Sequence, residues 1–355
     1  MDKTEQLAAR LPGDGDAALI LTPHNRRYLT GFPSSAGWLV VSRKGAWFLT
    51  DFRYIEAART QVKGAECRLI TRVMEALSSL FAEAGIKRVF VERGLSLGEF
   101  DSLKRNISGV DWQNGPELDE WLGTLRLIKT PEELKIIRQA QELTEYGFER
   151  ILSFIQAGRS EREIALELEF LIRRQGAEGT AFDFIVVSGP NSSLPHGVPG
   201  ERVLQPGDFV TMDFGAMVGG WRSDMTRTVA VGRVSDEQRF VYDTVLKAQT
   251  ACLSVLRAGL PCAEGDRAAR KVIDEAGYAG CFGHGTGHGV GMDIHEEPRL
   301  SPSAGTALLQ AGSVVTVEPG IYLEGRFGVR IEDMVSITPD GCENLTHAEK
   351  TLICL

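Results

Sequence analysis

Short apolar runs alternate with helically spaced apolar positions along the first 125 or so residues. The pattern predicts strands at 18–22, 38–42, 46–50, 67–70 and 88–91 and helices near 54–61, 73–84 and 97–106, a compact α/β unit. The pattern then changes. Thr130-Pro131-Glu132-Glu133 offers a capping hydroxyl, a proline at the first helical position and a glutamate three residues after the cap. Leu134, Ile137, Leu143, Ile151 and Phe154 continue it as a long amphipathic helix expected to end near Gly158. Ser160 with Glu163 starts another, reaching about Gln175; Ser235 with Gln238 starts a third, and residues 262–276 read as a fourth.

Between and after these helices lie β-rich segments. Residues 209–214 and 226–231 flank a stretch containing Gly215, Gly219 and Gly220 and read as a hairpin. Residues 314–318 and 329–337 read as a second hairpin, turning through Gly320 and Gly325 to Gly328. Each hairpin opens with an acid two residues before a glycine, Asp213 before Gly215 and Glu318 before Gly320. Each returns a second acid on its other arm, Asp224 and Glu332. The chain thus carries a faint internal repeat, two hairpins that each give two carboxylates to a pocket between them.

Length and composition narrow what that pocket can be. A chain of 355 residues exceeds one ordinary core, so two domains are expected, divided as 1–127 and 128–355. Its 43% hydrophobic and 25% charged residues are those of a globular protein. A net charge of -9 with no Lys/Arg-rich run argues against a nucleic-acid partner. The opening MDKTEQLAARL lacks the apolar core of a signal peptide, and no stretch approaches the roughly 18 apolar residues of a membrane helix. Cys67, Cys252, Cys262, Cys281, Cys342 and Cys354 form no CxxC pair and read as free thiols of a reducing compartment. A cytoplasmic location is the expectation.

Acids on the inner arms of strands need partners. Asp213 follows Val-Thr-Met and Glu318 follows Val-Val-Thr-Val, where alternation predicts burial. Arginines are one source of partners, with Arg222, Arg227 and Arg330 nearby in the chain. Divalent cations are the other. Four carboxylates carry about four negative charges, which two such cations nearly cancel; left alone, they raise one another's pKa values. His288 adds an imidazole between them. It lies in HGTGHGVGMDIHEEP, residues 284–298, which also holds His284 and His295. The glycines there are not a nucleotide cradle, since no Gly-Lys-Ser/Thr follows. His196, in PNSSLPHGVP, taken alone reads equally well as an ordinary loop histidine. Nucleophilic catalysis is disfavoured: there is no Gly-x-Ser-x-Gly elbow, and Cys281 among apolar and glycine neighbours reads as a packed thiol. An oxygen-rich donor set with one imidazole favours a hard or borderline ion, manganese or cobalt first and zinc after them.

Five motifs occur in order: LPHG at 194–197, MDFG through SDMTRT at 212–228, GTGHGVG through IHEEP at 285–298, VEPG at 317–320 and RIED at 330–333. With them the chain resembles the metallopeptidases related to aminopeptidase P and prolidase, whose catalytic domain has the pita-bread fold. YLTGF at 28–32 with LTDFRY at 49–54 is similar to that family's N-terminal domain, and LRLIKTPEEL at 125–134 to its interdomain junction. The resemblance covers nearly the whole chain. It implies an α+β pita-bread domain preceded by a smaller α/β domain, and a homodimer. It makes Asp213 and Asp224 ligands of one divalent cation and Asp224, His288, Glu318 and Glu332 ligands of a second, with Asp224 and Glu332 bridging. His196, His284 and His295 fall at substrate-contacting and proton-handling positions, and Arg330 where an arginine supports the bridging carboxylate.

The reaction implied is cleavage between an N-terminal residue and a following proline, in dipeptides or short peptides, by a hydroxide shared between the two cations. Glu318 is the implied proton carrier, His295 steadies the oxyanion and His196 touches the substrate. Proline makes the scissile bond a tertiary amide with no N–H, which calls for a dedicated pocket. Two other readings stand beside this one. Methionine aminopeptidases share the five ligands, but the N-terminal domain, LPHG and the RIEDM context speak against them. A peptide-binding protein on this fold that had lost its metals would show a missing ligand, and none is missing.

Overall fold

The computed structural model describes residues 1–355, which divide into two compact units, Met1–Arg126 and Leu127–Leu355.

The first unit is built on one six-stranded sheet. Its strands are β1 (Asp16–Ile20), β2 (Trp38–Ser42), β3 (Gly45–Thr50), β4 (Glu66–Leu69), β5 (Arg88–Val91) and β6 (Asp111–Gln113), in the order β4-β3-β2-β1-β5-β6. The chain meanders antiparallel through β1, β2 and β3, then adds β4, β5 and β6 as parallel neighbours of β3, β1 and β5. Parallel neighbours need crossovers, and helices Ile55–Gln61, Val73–Ala84 and Leu97–Asn106 lie in those connections. Leu19, Val40, Leu49, Leu77, Phe81 and Val89 fill the core against them. The first strand ends two residues before the expected bound. Glu92, buried, accepts the Leu21 and Thr22 N–H groups at 2.6 and 2.9 Å and the Asn25 amide at 2.7 Å. That carboxylate turns the chain out of the sheet into an unexpected helix, Pro23–Thr30.

The second unit runs through one plan twice. Its first half has helices Pro131–Ile151 and Glu161–Arg174, followed by β7 (Gly179–Thr180), β8 (Ile185–Ser188), β9 (Phe209–Phe214), β10 (Ala216–Val218), β11 (Trp221–Arg222) and β12 (Met225–Ala230). Its second half has helices Asp236–Val255 and Cys262–Ile273, followed by β13 (Gly287–Gly289), β14 (Glu296–Leu300), β15 (Val314–Val317), β16 (Gly320–Leu323), β17 (Phe327–Arg330), β18 (Asp333–Ile337) and β19 (Cys342–Asn344). The capping boxes at Thr130, Ser160 and Ser235 all form. The long first helix stops at Ile151, short of Gly158, and the fourth stops at Ile273, giving way to a wide turn in which Gly277 takes φ 90°.

Each half holds one ladder nested inside another. β9 pairs antiparallel with β12 from Phe209↔Ala230 to Phe214↔Met225, and β10–β11 form a small hairpin between them. β15 pairs with β18 from Val314↔Ser336 to Val317↔Asp333, and β16–β17 form the inner ladder. The continuous arm expected at 329–337 is therefore two strands, broken at Ile331-Glu332. The turn sits at Gly325, φ 69°, while Gly320 and Gly328 lie in strands. Gly328 is there for room: a Cβ would run into the Ser192 carbonyl. Each half has its own apolar core, Phe148, Leu168, Met212 and Phe214 in one and Val241, Val245, Val315 and Val335 in the other. No helix is long and apolar enough to cross a membrane.

Candidate metal centre and active site

The acids sit where strands end. Asp213 is the penultimate residue of β9, Asp224 immediately precedes β12, Glu318 immediately follows β15, and Glu332 occupies the break between β17 and β18. His288 is the middle residue of β13. A cleft of about 850 Å³ is lined by all five and by His196, His284, His295 and Arg330.

The donor atoms face one another. Ligand atoms of Asp224, His288 and Glu332 lie within 4.8 Å of each other. His288 Nε2 is 3.6 Å from Asp224 Oδ2 and 3.4 Å from Glu318 Oε1. The other ring nitrogen, Nδ1, is 3.1 Å from the Gly289 carbonyl, to which it must donate, so Nε2 presents a lone pair to the carboxylates. Burial pushes this imidazole down to about 3, so it is neutral. Acceptors crowded against acceptors need a cation. The acids agree: burial, then the charge of neighbouring acids, pushes Asp224 and Glu332 well above the ordinary carboxylate range, and burial pushes Glu318 up to about 8. Asp213 Oδ1 is buried with no hydrogen-bond partner. This set fits divalent cations.

Of the three nearby arginines, one reaches an acid of the set by its side chain. Arg330 Nη2 donates to Asp213 Oδ2 at 2.6 Å, leaving Oδ1 to the cleft. Arg222 Nε donates to the Met292 carbonyl at 3.3 Å, and Arg227 Nη2 to Asp333 at 2.9 Å, with Arg227 Nη1 on the Glu332 main-chain carbonyl at 2.5 Å. Arg330 also ties the halves together. Its Nε donates to Thr226 Oγ1 at 3.1 Å, and that hydroxyl donates to Glu332 Oε2 at 2.7 Å. Such outer partners hold a ligand in one orientation.

His288 is held by its neighbours' lack of side chains. A Cβ on Gly287 would run into the Thr316 carbonyl and one on Gly289 into the Glu297 carbonyl, because β13 lies between β14 and β15. The His288 N–H donates to Thr316 Oγ1 at 3.0 Å, and the Glu318 N–H to the Thr286 carbonyl at 2.7 Å.

The remaining histidines differ in freedom. His284 uses both nitrogens within the protein: Nδ1 donates to the Gly285 carbonyl at 2.8 Å, and Nε2 accepts from the Tyr322 hydroxyl at 2.9 Å. Tyr322 in turn accepts from Arg330 Nη1 at 2.9 Å. Burial, then the Arg330 charge, takes His284 down to about 4. It is a support for Arg330. His295 meets His288 edge-on with centroids 4.4 Å apart, and burial, then Arg299, lowers its pKa. His196 is exposed to the cleft on a loop that Glu161 organises from behind. The buried Glu161 carboxylate accepts from Ser188 N at 2.7 Å, Ser188 Oγ at 2.8 Å, Asn191 Nδ2 at 3.1 Å and Gly200 N at 3.2 Å. Glu161, Tyr322 and Thr226 are the residues that sequence reasoning passed over. Glu161 follows a capping serine and reads as a solvated first-turn acid; nothing beside it in the chain points to the loop it holds, 30 to 39 residues on.

Residues 135–339 match Metallopeptidase family M24, and residues 10–128 match the Creatinase/Prolidase N-terminal domain. The chain belongs to metallopeptidase family M24. It is a metallopeptidase with the two-domain, mixed α/β architecture expected from its motifs. An Xaa-Pro dipeptidase of Pyrococcus horikoshii is 35% identical over 340 residues, 95% of this chain and 94% of that protein. The structure of an Xaa-Pro dipeptidase from Bacillus anthracis superposes with a TM-score of 0.95 at 43% identity, covering 99% of each chain. That of an X-Pro aminopeptidase from Thermotoga maritima gives 0.92 at 35% identity, covering 100% of each.

Proposed function

We propose that this M24 enzyme is an Xaa-Pro exopeptidase that works with two divalent cations and acts chiefly on dipeptides. The observation that carries the hydrolytic part is the neutral His288 Nε2 facing Asp224 and Glu318, an all-acceptor cluster made for cations. The choice of bond rests on the relatives. Asp213, Asp224 and Glu332 would hold one cation and Asp224, His288, Glu318 and Glu332 the other; manganese or cobalt suits these donors best. When bound, such ions supply Lewis acidity and bring a water's pKa toward neutrality.

The protein groups do the rest. Glu318 takes the attacking water's proton and returns it to the departing proline nitrogen, a transfer suited to a carboxyl at the cleft edge with 16% exposure. His295, neutral beside Arg299, donates its N–H to the developing oxyanion. His196 borders the substrate from the opposite loop. Arg299 lines the same cleft with no carboxylate paired to it, and a dipeptide's free carboxylate is the anion it would receive. The free thiols fit a reducing cytoplasm, and a homodimer, which the family implies, belongs to the same reading.

Manganese-reconstituted enzyme assayed on Ala-Pro, Ala-Pro-Ala and Met-Ala-Ser tests it. Turnover of Ala-Pro alone is expected. Equal turnover of the tripeptide would replace the dipeptide assignment with an aminopeptidase, and preference for Met-Ala-Ser would remove proline from the account.

A further inference from the structure

The LIKTPEE segment is a motif the reaction above leaves without a task. Its Lys129 Nζ lies 3.4 Å from Glu296 Oε2, and the two side chains are 1% and 4% exposed. The other carboxylate oxygen, Glu296 Oε1, accepts the Asp293 N–H at 3.0 Å. Glu296 thereby closes a tight turn over 291–295, whose Gly291 N–H donates to the Asp293 carbonyl at 3.0 Å. The carboxylate is packed directly beneath: a Cβ on Gly291 would meet it. From the other side, Arg222 donates through its main-chain N–H to Gly291 O at 2.9 Å and through Nε to Met292 O at 3.3 Å. The turn ends in His295, the ring that stands edge-on to His288. Lys129 is itself fixed, its N–H on the Gly312 carbonyl at 2.9 Å and the Gly312 N–H on the Ile337 carbonyl at 2.8 Å, at the end of β18.

An ion pair buried this deeply adds little net stability, because lost hydration offsets most of the attraction; removing one partner is what costs. Its use is positional. We propose that Lys129 is a positioning residue for the reaction: through buried Glu296 it holds the 291–295 turn and so sets where His295 stands over the metal ligands. The effect on rate rests on the oxyanion role given to His295, while the effect on the turn does not.

The test uses the full-length protein. Lys129→Met removes the ammonium that faces Glu296 Oε2, and amide exchange over 291–295 is expected to accelerate about tenfold or more. Turnover of Ala-Pro is expected to fall about tenfold in kcat with KM little changed, the mark of an interaction made in the transition state. Lys129→Met/Glu296→Gln removes both charges and keeps an oxygen for Asp293, so exchange and kcat are expected to return to within about threefold of the original. In a His295→Ala background, Lys129→Met is expected to add no further loss. Unchanged exchange in Lys129→Met, an unrecovered double variant, or losses that multiply with His295→Ala would each overturn the proposal. Where Lys129→Met alone does not fold, a double variant with native exchange supports it and an unfolded one overturns it. Should the wild type leave Ala-Pro intact, the functional reading fails separately and the exchange data still decide this one.

Discussion

The two halves of the catalytic unit share helices, nested ladders and paired acids, yet their flanking strands differ. Beside β9 runs β8, apolar and at the sheet edge, with Ile185 opposite Asp213. Beside β15 runs β13, Gly-His-Gly, enclosed between two neighbours and carrying His288. One half therefore offers short aspartates, and the other offers longer glutamates and an imidazole. The difference teaches that an internal repeat can supply symmetry of scaffold without symmetry of chemistry: the two proposed cation positions are unlike because one flanking strand is crowded and the other is open. The halves are joined at their centre by polar ties, Thr226 to Glu332, Arg330 to Asp213 and Arg227 to Asp333.

The hardest blow to this arrangement is at Asp224, one of the two acids proposed to serve both positions. Asp224→Asn is expected to abolish binding of both cations and cut kcat/KM more than the roughly 100-fold typical of an outer partner. His288→Ala is expected to lose one cation and keep the other. Manganese titration reads the stoichiometry, and two ions retained in Asp224→Asn would show the halves to be independent.

Asp333→Asn comes next, because Arg227 and Asp333 are 1% and 0% exposed in their side chains. Burial alone would raise the Asp333 pKa, but Arg227 and Lys350 outweigh it and hold it below the ordinary value. The ionised form's stabilisation is thus complete above the unfolded value of about 3.9 and lost as pH falls through the lower folded value. Breaking this pair is expected to cost about 3–5 kcal/mol near neutrality. Urea midpoints of variant and wild type are expected to converge in acid; a gap independent of pH would show that charge is not the tie.

Thr226→Val is the mildest of the three. It removes the hydroxyl between Arg330 and Glu332 and is expected to weaken cation affinity about tenfold with little change in melting. Unaltered affinity would mean Glu332 is oriented by its backbone alone.

Much of the scaffold was legible because its signals are local. The capping boxes at Thr130, Ser160 and Ser235 mark helix starts to the residue, and β2 and β5 match their apolar runs. Helices Pro23–Thr30 and Glu117–Leu127 were illegible, being short or polar and ordered by distant partners such as Glu92, while Lys3–Ala8 was missed for its shortness despite a capping box at Asp2 and Glu5. β13 also escaped, since glycine normally opposes a strand; here it is demanded by main-chain crowding. The acids and His288 stood out by spacing. Glu161, Tyr322 and Lys129 did not, because what they hold is remote in the chain: Asn191 and Gly200, His284, and Glu296.

The glycines on either side of His288 separate location from identity. Main-chain packing on both flanks settles where position 288 lies, whatever side chain grows from it. A cysteine or an aspartate installed there inherits a surveyed mounting point, and is expected to change which cations this centre prefers without moving its walls.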